Sequence, residues 1–208
     1  MILKTFVTGM LDNNNYLLID EDSKEAVLVD CSEYLPEIND VLAKYSANLK
    51  YVLITHGHFD HILGINNLKK DFSKSQIIAP IEDKDLIEEV ETFVDRFIGG
   101  LGKVEVPNID RYVSEDDELC LGKNEIKIIS TPGHTKGGVC YFVDDKIFSG
   151  DTIFLESVGR TDLPGGNFEQ IKHSVEKVLN MFESSVEIYP GHGPLTSVEH
   201  EKKYNPVI

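Results

Sequence analysis

Four apolar runs in this chain stop at glycine or proline turns, and each turn delivers a histidine or an aspartate. Residues 51–55 (YVLIT) run into His56-Gly57-His58-Phe59-Asp60-His61, and residues 125–130 (EIKIIS) into Thr131-Pro132-Gly133-His134. Residues 146–149 (KIFS) reach Gly150-Asp151, and residues 186–189 (VEIY) reach Pro190-Gly191-His192-Gly193. Five of the seven histidines sit at these ends. Short apolar runs closed by turn residues read as buried strands. Loops held by such strands are where binding and catalytic groups concentrate, and glycine beside them allows tight turns and close backbone approach. A fold for this chain must therefore gather four strand ends at one place.

The remaining pattern supplies the scaffold. Residues 15–19 (NYLLI) and 26–30 (AVLVD) read as a hairpin around Asp20-Glu21-Asp22. Residues 36–45 read as a helix with Leu35, Ile38, Val41 and Leu42 on one stripe. Residues 62–72 restart a helical pattern, 76–79 form a short strand closed by Pro80, and 81–98 read as an acidic helix broken by Gly99-Gly100-Leu101-Gly102. Residues 103–117 look irregular. Residues 118–121 and 138–143 read as strands, with Asp144-Asp145 as a tight turn into 146–149. Residues 168–182 form an amphipathic helix through Phe168, Ile171, Val175, Val178, Leu179 and Phe182. Strands alternate with helices twice along the chain, which suggests two sheets packed face to face with helices outside. The expectation is one domain over residues 1–208, an α/β chain long enough to bury a core without covalent staples.

Bulk charge narrows the partners. Twenty basic residues against 36 acidic ones leave a formal charge of −16, a field that repels nucleic acid phosphates and anionic lipid. We expect no nucleic acid or membrane partner. Cys31, Cys120 and Cys140 are odd in number and form neither a disulfide framework nor a CxxC pair. With no apolar leader in MILKTFVTGM, they point to a reducing, cytoplasmic setting.

In extended backbone, residues i and i+2 point the same way, so His56 and His58 can grip one ion. Asp60 and His61 lie beyond, at the start of a helix, and can reach a second. Imidazole and carboxylate suit zinc, iron or manganese. The pattern HxHxDH followed by TPGHT, GDT and PGHG resembles the metallo-β-lactamase fold superfamily. GDTIFLESVGRTD and YPGHGPLTS resemble, within it, the short single-domain glyoxalase II-like hydrolases. The resemblance runs from about Asn15 to the C-terminus.

It implies a four-layer αββα sandwich of two mixed sheets with helices outside. It also implies two divalent metals per chain, zinc first, with iron or manganese as alternatives. His56, His58 and His134 would hold the first ion, Asp60, His61 and His192 the second, and Asp151 would bridge them. Asp60 and Asp151 are the implied catalytic carboxylates. The implied reaction is attack on a thioester or ester carbonyl by a hydroxide shared between the ions, on a small-molecule acyl substrate. A mononuclear iron persulfide dioxygenase is the alternative. Asp151 in the bridging position, where a cysteine would mark the true β-lactamases, argues against that branch.

Other residues divide between plain and functional readings. Asp30 ends a strand and either anchors a metal-binding loop by hydrogen bonds or is a plain carboxylate. Cys31 reads as a small buried filler. Arg160 and Asp162 read as a loop brace, with recognition of a substrate carboxylate as the alternative. The acidic run within 82–95 reads as a solvated face, Gly99–Gly102 as a candidate flap, and His173 and His200 as structural. The chain closes sixteen residues after His192, so a C-terminal helical glutathione-binding domain is not expected. Oligomeric state is left open.

Overall fold

The computed structural model describes residues 1–100 and 102–208. One six-stranded sheet takes the order β1 (Ile2–Thr8), β2 (Asn13–Ile19), β3 (Glu25–Val29), β4 (Asn48–Leu53), β5 (Gln76–Pro80) and β6 (Arg111–Val113). Its first three strands pair antiparallel and the rest parallel. The second sheet contains β7 (Leu119–Leu121), β8 (Asn124–Ser130), β9 (Val139–Val143), β10 (Lys146–Gly150), β13 (Glu187–Pro190) and β14 (Thr196–Ser197), in the order β14-β13-β10-β9-β8-β7. A two-stranded ribbon, β11 (Ile153–Phe154) with β12 (Ser157–Val158), lies between β10 and β13 in the chain.

The period-2 rule sorts the strand side chains into three cores. Tyr16, Leu18, Val27, Val29, Leu53, Ile78, Ile128, Tyr141, Phe148 and Tyr189 face inward and fill the space between the sheets. Their neighbours Leu17, Ile19, Leu28, Val52, Ile54 and Ile77 point outward onto the helices of the first sheet. Those helices are α1 (Glu37–Tyr45), α2 (Phe59–Ile62), α3 (Ile65–Asp71), α4 (Lys84–Glu88) and α5 (Val90–Phe93). Ile129, Cys140, Ile147 and Ile188 point outward from the second sheet onto α6 (Phe168–Met181), which supplies Ile171, Val175, Val178 and Leu179, and onto Val198 of α7 (Val198–Tyr204). Strands covered on both faces read as continuous apolar runs, which is why YVLIT and KIFS lack alternation. Each fully buried aliphatic side chain contributes about 1.5–3 kcal/mol. The architecture is the expected αββα sandwich.

Strand direction places the site. β8, β10 and β13 run the same way, because β9 is antiparallel to both β8 and β10, and β10 is parallel to β13. Their C-terminal ends therefore share one edge. In the first sheet, β3, β4 and β5 end at the corresponding edge, and antiparallel β2 begins there. Two backbone hydrogen bonds join the edges: Val139 N–H donates to Thr55 O at 2.9 Å and Asn14 N–H to Gly191 O at 2.7 Å.

Several local expectations need correction. Residues 62–72 are not one helix: α2 begins earlier, at Phe59, and the chain breaks at Leu63-Gly64 before α3. A β-carbon on Gly64 would lie 2.7 Å from both Cys31 Sγ and Tyr34 N, so the break is a close crossing that only glycine permits. Residues 81–98 are a 3₁₀ turn (Ile81–Asp83), α4, α5 and a π turn (Val94–Ile98). The stretch read as irregular contains β6 as a short edge strand. The Asp144-Asp145 turn carries φ of 52° and 56°, the geometry that a two-residue hairpin loop demands. Of the glycine-rich run expected as a flap, Leu101 lies outside the described residues.

Candidate metal centre

All seven expected ligands meet at the shared edge. The α2 turn and the end of β4 bring His56, His58, Asp60 and His61. His134 comes from the loop after β8, Asp151 from the end of β10 and His192 from the end of β13. Ligand-type atoms of His56, His58 and His134 lie within 4.8 Å of one another, as do those of Asp60, His61 and His192, and those of His56, His61 and Asp151. Asp151 stands between the two triads. Its Oδ2 is 3.4 Å from His134 Nε2 and 3.6 Å from His192 Nε2, and its Oδ1 is 3.4 Å from His61 Nε2. Asp60 Oδ2 is 3.3 Å from His192 Nε2 and 3.5 Å from His61 Nε2. His173 and His200 lie elsewhere: His173 Nδ1 donates to its helix at Glu169 O, and His200 pairs with Glu156.

These spacings fit divalent cations. Bonds of about 2.1 Å in tetrahedral array place donors roughly 3.4 Å apart, the range of the Asp151 and Asp60 contacts. Two buried ligand-type atoms aimed at the centre, His56 Nε2 and Asp151 Oδ1, have no hydrogen-bond partner among the described residues. Orphaned polar atoms are costly inside a protein, and a cluster of them made of nitrogen and carboxylate oxygen calls for a cation. Gly191 completes the cradle, since a β-carbon there would collide with Asp151 Oδ1 and lie 2.8 Å from His61 Cε1.

The rings are aimed by their other nitrogens. His61 Nδ1 donates to Asp30 Oδ2 at 2.8 Å, His134 Nδ1 to Arg160 O at 2.8 Å and His192 Nδ1 to Leu11 O at 3.0 Å. His56 Nδ1 lies 3.1 Å from Thr55 Oγ1, which itself donates to Asp30 Oδ2 at 2.8 Å. Each of these four rings thus presents Nε2 to the centre. His58 is turned the other way and places Nδ1 2.8 Å from His134 Nε2. Asp30 also accepts from Thr55 N–H at 2.8 Å and is 1% exposed, so it anchors the loop. Arg160 braces Asp162 through two bonds of 2.7 and 2.8 Å at the surface.

Electrostatics favours the ligand forms of His56, His58, Asp60 and Asp151. Burial, reinforced by the charges of the neighbouring imidazoles, holds His56 well below the ordinary histidine range. Burial and then His134 push His58 down to about 3. Both rings are therefore neutral and able to donate lone pairs. Burial opposes ionisation of Asp60, but the charge of His61 and hydrogen bonds from His192 and Asn13 hold it well below the usual carboxylate range. Asp151 is lowered in the same way, burial again opposing and His61 dominating the favourable side. Burial also disfavours charge on His61, yet Asp30, Asp60 and Asp151 outweigh it and raise that imidazole.

Two residues at the centre carry no signal in the sequence pattern. Asp83, within the run read as a solvated face, is 1% exposed. It accepts from Gly57 N–H at 2.8 Å, Thr135 Oγ1 at 2.7 Å and Gly137 N–H at 2.7 Å. It therefore ties the His56–His58 loop to the His134 loop. Asn13 is fully buried and donates through Nδ2 to Asp60 Oδ2 at 2.9 Å. A groove of about 410 Å³ opens beside the centre, lined in part by Phe93, Arg96, Phe97 and Lys136. The Phe93 ring lies 5.4 Å from that of His58.

Comparison with known proteins agrees with this geometry. The sequence profile described as metallo-beta-lactamase superfamily matches residues 9–192. Hydroxyacylglutathione hydrolase GloC of Haemophilus influenzae is 31% identical over 197 residues, covering 93% of this chain and 92% of its own. The crystal structure of BLEG-1 B3 metallo-beta-lactamase matches with a TM-score of 0.88 at 28% identity, covering 99% of this chain and 98% of that one. The crystal structure of TTHA1623 in a di-iron-bound form matches with a TM-score of 0.85 at 26% identity, covering 99% of this chain and 100% of that one.

Proposed function

This chain belongs to the metallo-beta-lactamase superfamily, and from that premise we propose that it is a binuclear metal-dependent hydrolase of the glyoxalase II-like kind. Its substrate in this reading is a small-molecule thioester or ester. The observation that carries the reading is the pair of triads with Asp151 between them, its oxygens 3.4–3.6 Å from histidines of both. The likeness to GloC supports the substrate class.

His56, His58 and His134 would hold one ion and Asp60, His61 and His192 the other, with Asp151 reaching both. Divalent cations held there would lower the pKa of a water and offset the negative charge that develops on a carbonyl oxygen. The chain's own part is to fix that geometry. Asp30, Arg160 O and Leu11 O lock three rings so that Nε2 faces the centre. Asp60 and Asp151 are the carboxylates placed at the reacting centre, both held ionised by the surrounding imidazoles. The groove past Phe93 gives an acyl or thiol arm a partly apolar wall next to His58, the kind of concave site that small ligands favour.

The test is a panel of acyl thioesters offered to protein reconstituted separately with zinc, iron and manganese. Turnover with two ions per chain, lost by about 10²- to 10³-fold in Asp151→Ala, is the expected result on the scale of other losses in charge stabilisation. Oxygen uptake with glutathione persulfide by the iron form, without thioester cleavage, would instead favour the mononuclear dioxygenase.

A further inference from the structure

The two triads differ in what already occupies them. Among the described residues no side chain other than the ligands hydrogen-bonds the inward atoms of the His56–His58–His134 group: His134 Nε2 meets His58 Nδ1, and His56 Nε2 has no partner. The Asp60–His61–His192 group is different. Asn13 Nδ2 lies 2.9 Å from Asp60 Oδ2, 3.1 Å from His61 Nε2 and 3.3 Å from His192 Nε2, in reach of all three donor atoms. An ionised carboxylate only accepts, so Asp60 fixes the amide with its nitrogen toward the triad. The other end of the amide, Oδ1, is buried with no partner among the described residues.

The backbone beneath Asn13 cannot retreat. Asn13 bridges to His192, and Asn14 Nδ2 donates to Pro190 O at 2.9 Å and Gly193 O at 2.8 Å. Asn15 Nδ2 donates to Asn13 O at 3.0 Å. Only rotation of the Asn13 side chain can clear the three donor atoms.

We propose that Asn13 makes the two positions of the centre unequal: its amide competes with a cation for Asp60, His61 and His192. The His56–His58–His134 position then fills first, and the second fills more weakly. This rests on the metal-centre reading above and adds to it a residue that sets occupancy. At limiting metal the chain holds one ion, and at higher metal two.

The test is calorimetric titration of metal-free protein with zinc, with bound metal measured after equilibrium dialysis. It compares the native chain with Asn13→Ala and with Asn13→Ser, whose shorter side chain cannot reach Asp60. Thermal melts establish that each variant is folded. A hydrogen bond to a charged acceptor corresponds to about 10- to 100-fold in an equilibrium constant. The expected result is two steps in the native protein, the second at least about tenfold weaker than the first. In either folded variant the second step tightens by about tenfold or more, and the first stays within about twofold.

An unchanged or weakened second step in the variants overturns the proposal, and a weakened one would mark Asn13 as a ligand. One ion bound alike by all three proteins at every zinc concentration also overturns it, but leaves the first triad intact. Two steps behaving as expected without thioester hydrolysis would uphold Asn13 and sink the proposed reaction alone.

Discussion

Asp30→Asn should loosen one side of the centre more than the other. The carboxylate accepts three bonds, from His61 Nδ1, Thr55 N–H and Thr55 Oγ1, each 2.8 Å long. An asparagine has one acceptor oxygen where the aspartate has two, so one buried donor is left facing an NH₂ group. That costs about 1–3 kcal/mol of stability, or roughly 2–12 °C in the melting temperature of a chain this size. His61 loses the carboxylate that fixes its ring, and removing such a partner weakens metal binding by about 10- to 100-fold. The loss should fall on the Asp60–His61–His192 position. Among the described residues the first triad feels Asp30 through Thr55, whose N–H and hydroxyl both donate to that carboxylate beside His56. Equilibrium dialysis against buffered zinc, with a melt of the metal-free protein, measures both effects. An equal loss at both positions, or none at either, would refute the reasoning that Asp30 acts by aiming His61.

Two further expectations follow from close packing and burial. Gly191→Ala puts a β-carbon into Asp151 Oδ1 and against His61, so the purified variant should carry fewer than two ions per chain by elemental analysis. Asp83 predicts a pH effect: burial outweighs its three hydrogen bonds and raises its carboxyl above the ordinary 3.8. Between 3.8 and that raised value, the folded chain keeps a proton that the unfolded chain releases. The contribution of Asp83 to stability is therefore full below 3.8 and falls as pH rises through the raised value. Urea unfolding from about pH 3.5 to 6 should show the stability of Asp83→Asn gaining on that of the native protein as pH increases, and parallel curves would contradict it.

The candidate ligands were legible because each lies in a turn that follows an apolar strand, and five of the seven sit directly beside a glycine, a local signal that folding only had to gather. Tyr51, Val52 and Leu53 announced β4, and β4 announced His56. Asp83 was illegible for the opposite reason. It stands among Glu82, Asp85, Glu88 and Glu89, and nothing local marks which acid turns inward; that depends on Gly57 and Gly137, 26 and 54 positions away. Asn13 was hidden in a run of three asparagines of which only the last, Asn15, falls in the strand read from the sequence, although Asn13 opens β2. Its burial requires His192 to arrive from a strand 179 positions later. β1 went unread because its edge position leaves Lys4, Thr5 and Val7 exposed and blurs the alternation. Arg160 was legible as a brace, but the value of its carbonyl to His134 was not, since backbone groups leave no mark in a sequence.

Each triad draws two ligands from before residue 62 and its third from beyond residue 133. Cations seated there would act as rivets through the seam between the amino- and carboxyl-terminal portions of the chain, pinning His58 to a residue 76 positions away. Ions that bind only the assembled form lend it stability in proportion to the logarithm of their free concentration. Chelation should therefore unzip this seam before it disturbs the apolar layers behind it, and metal supply would govern the lifetime of the protein as well as its chemistry.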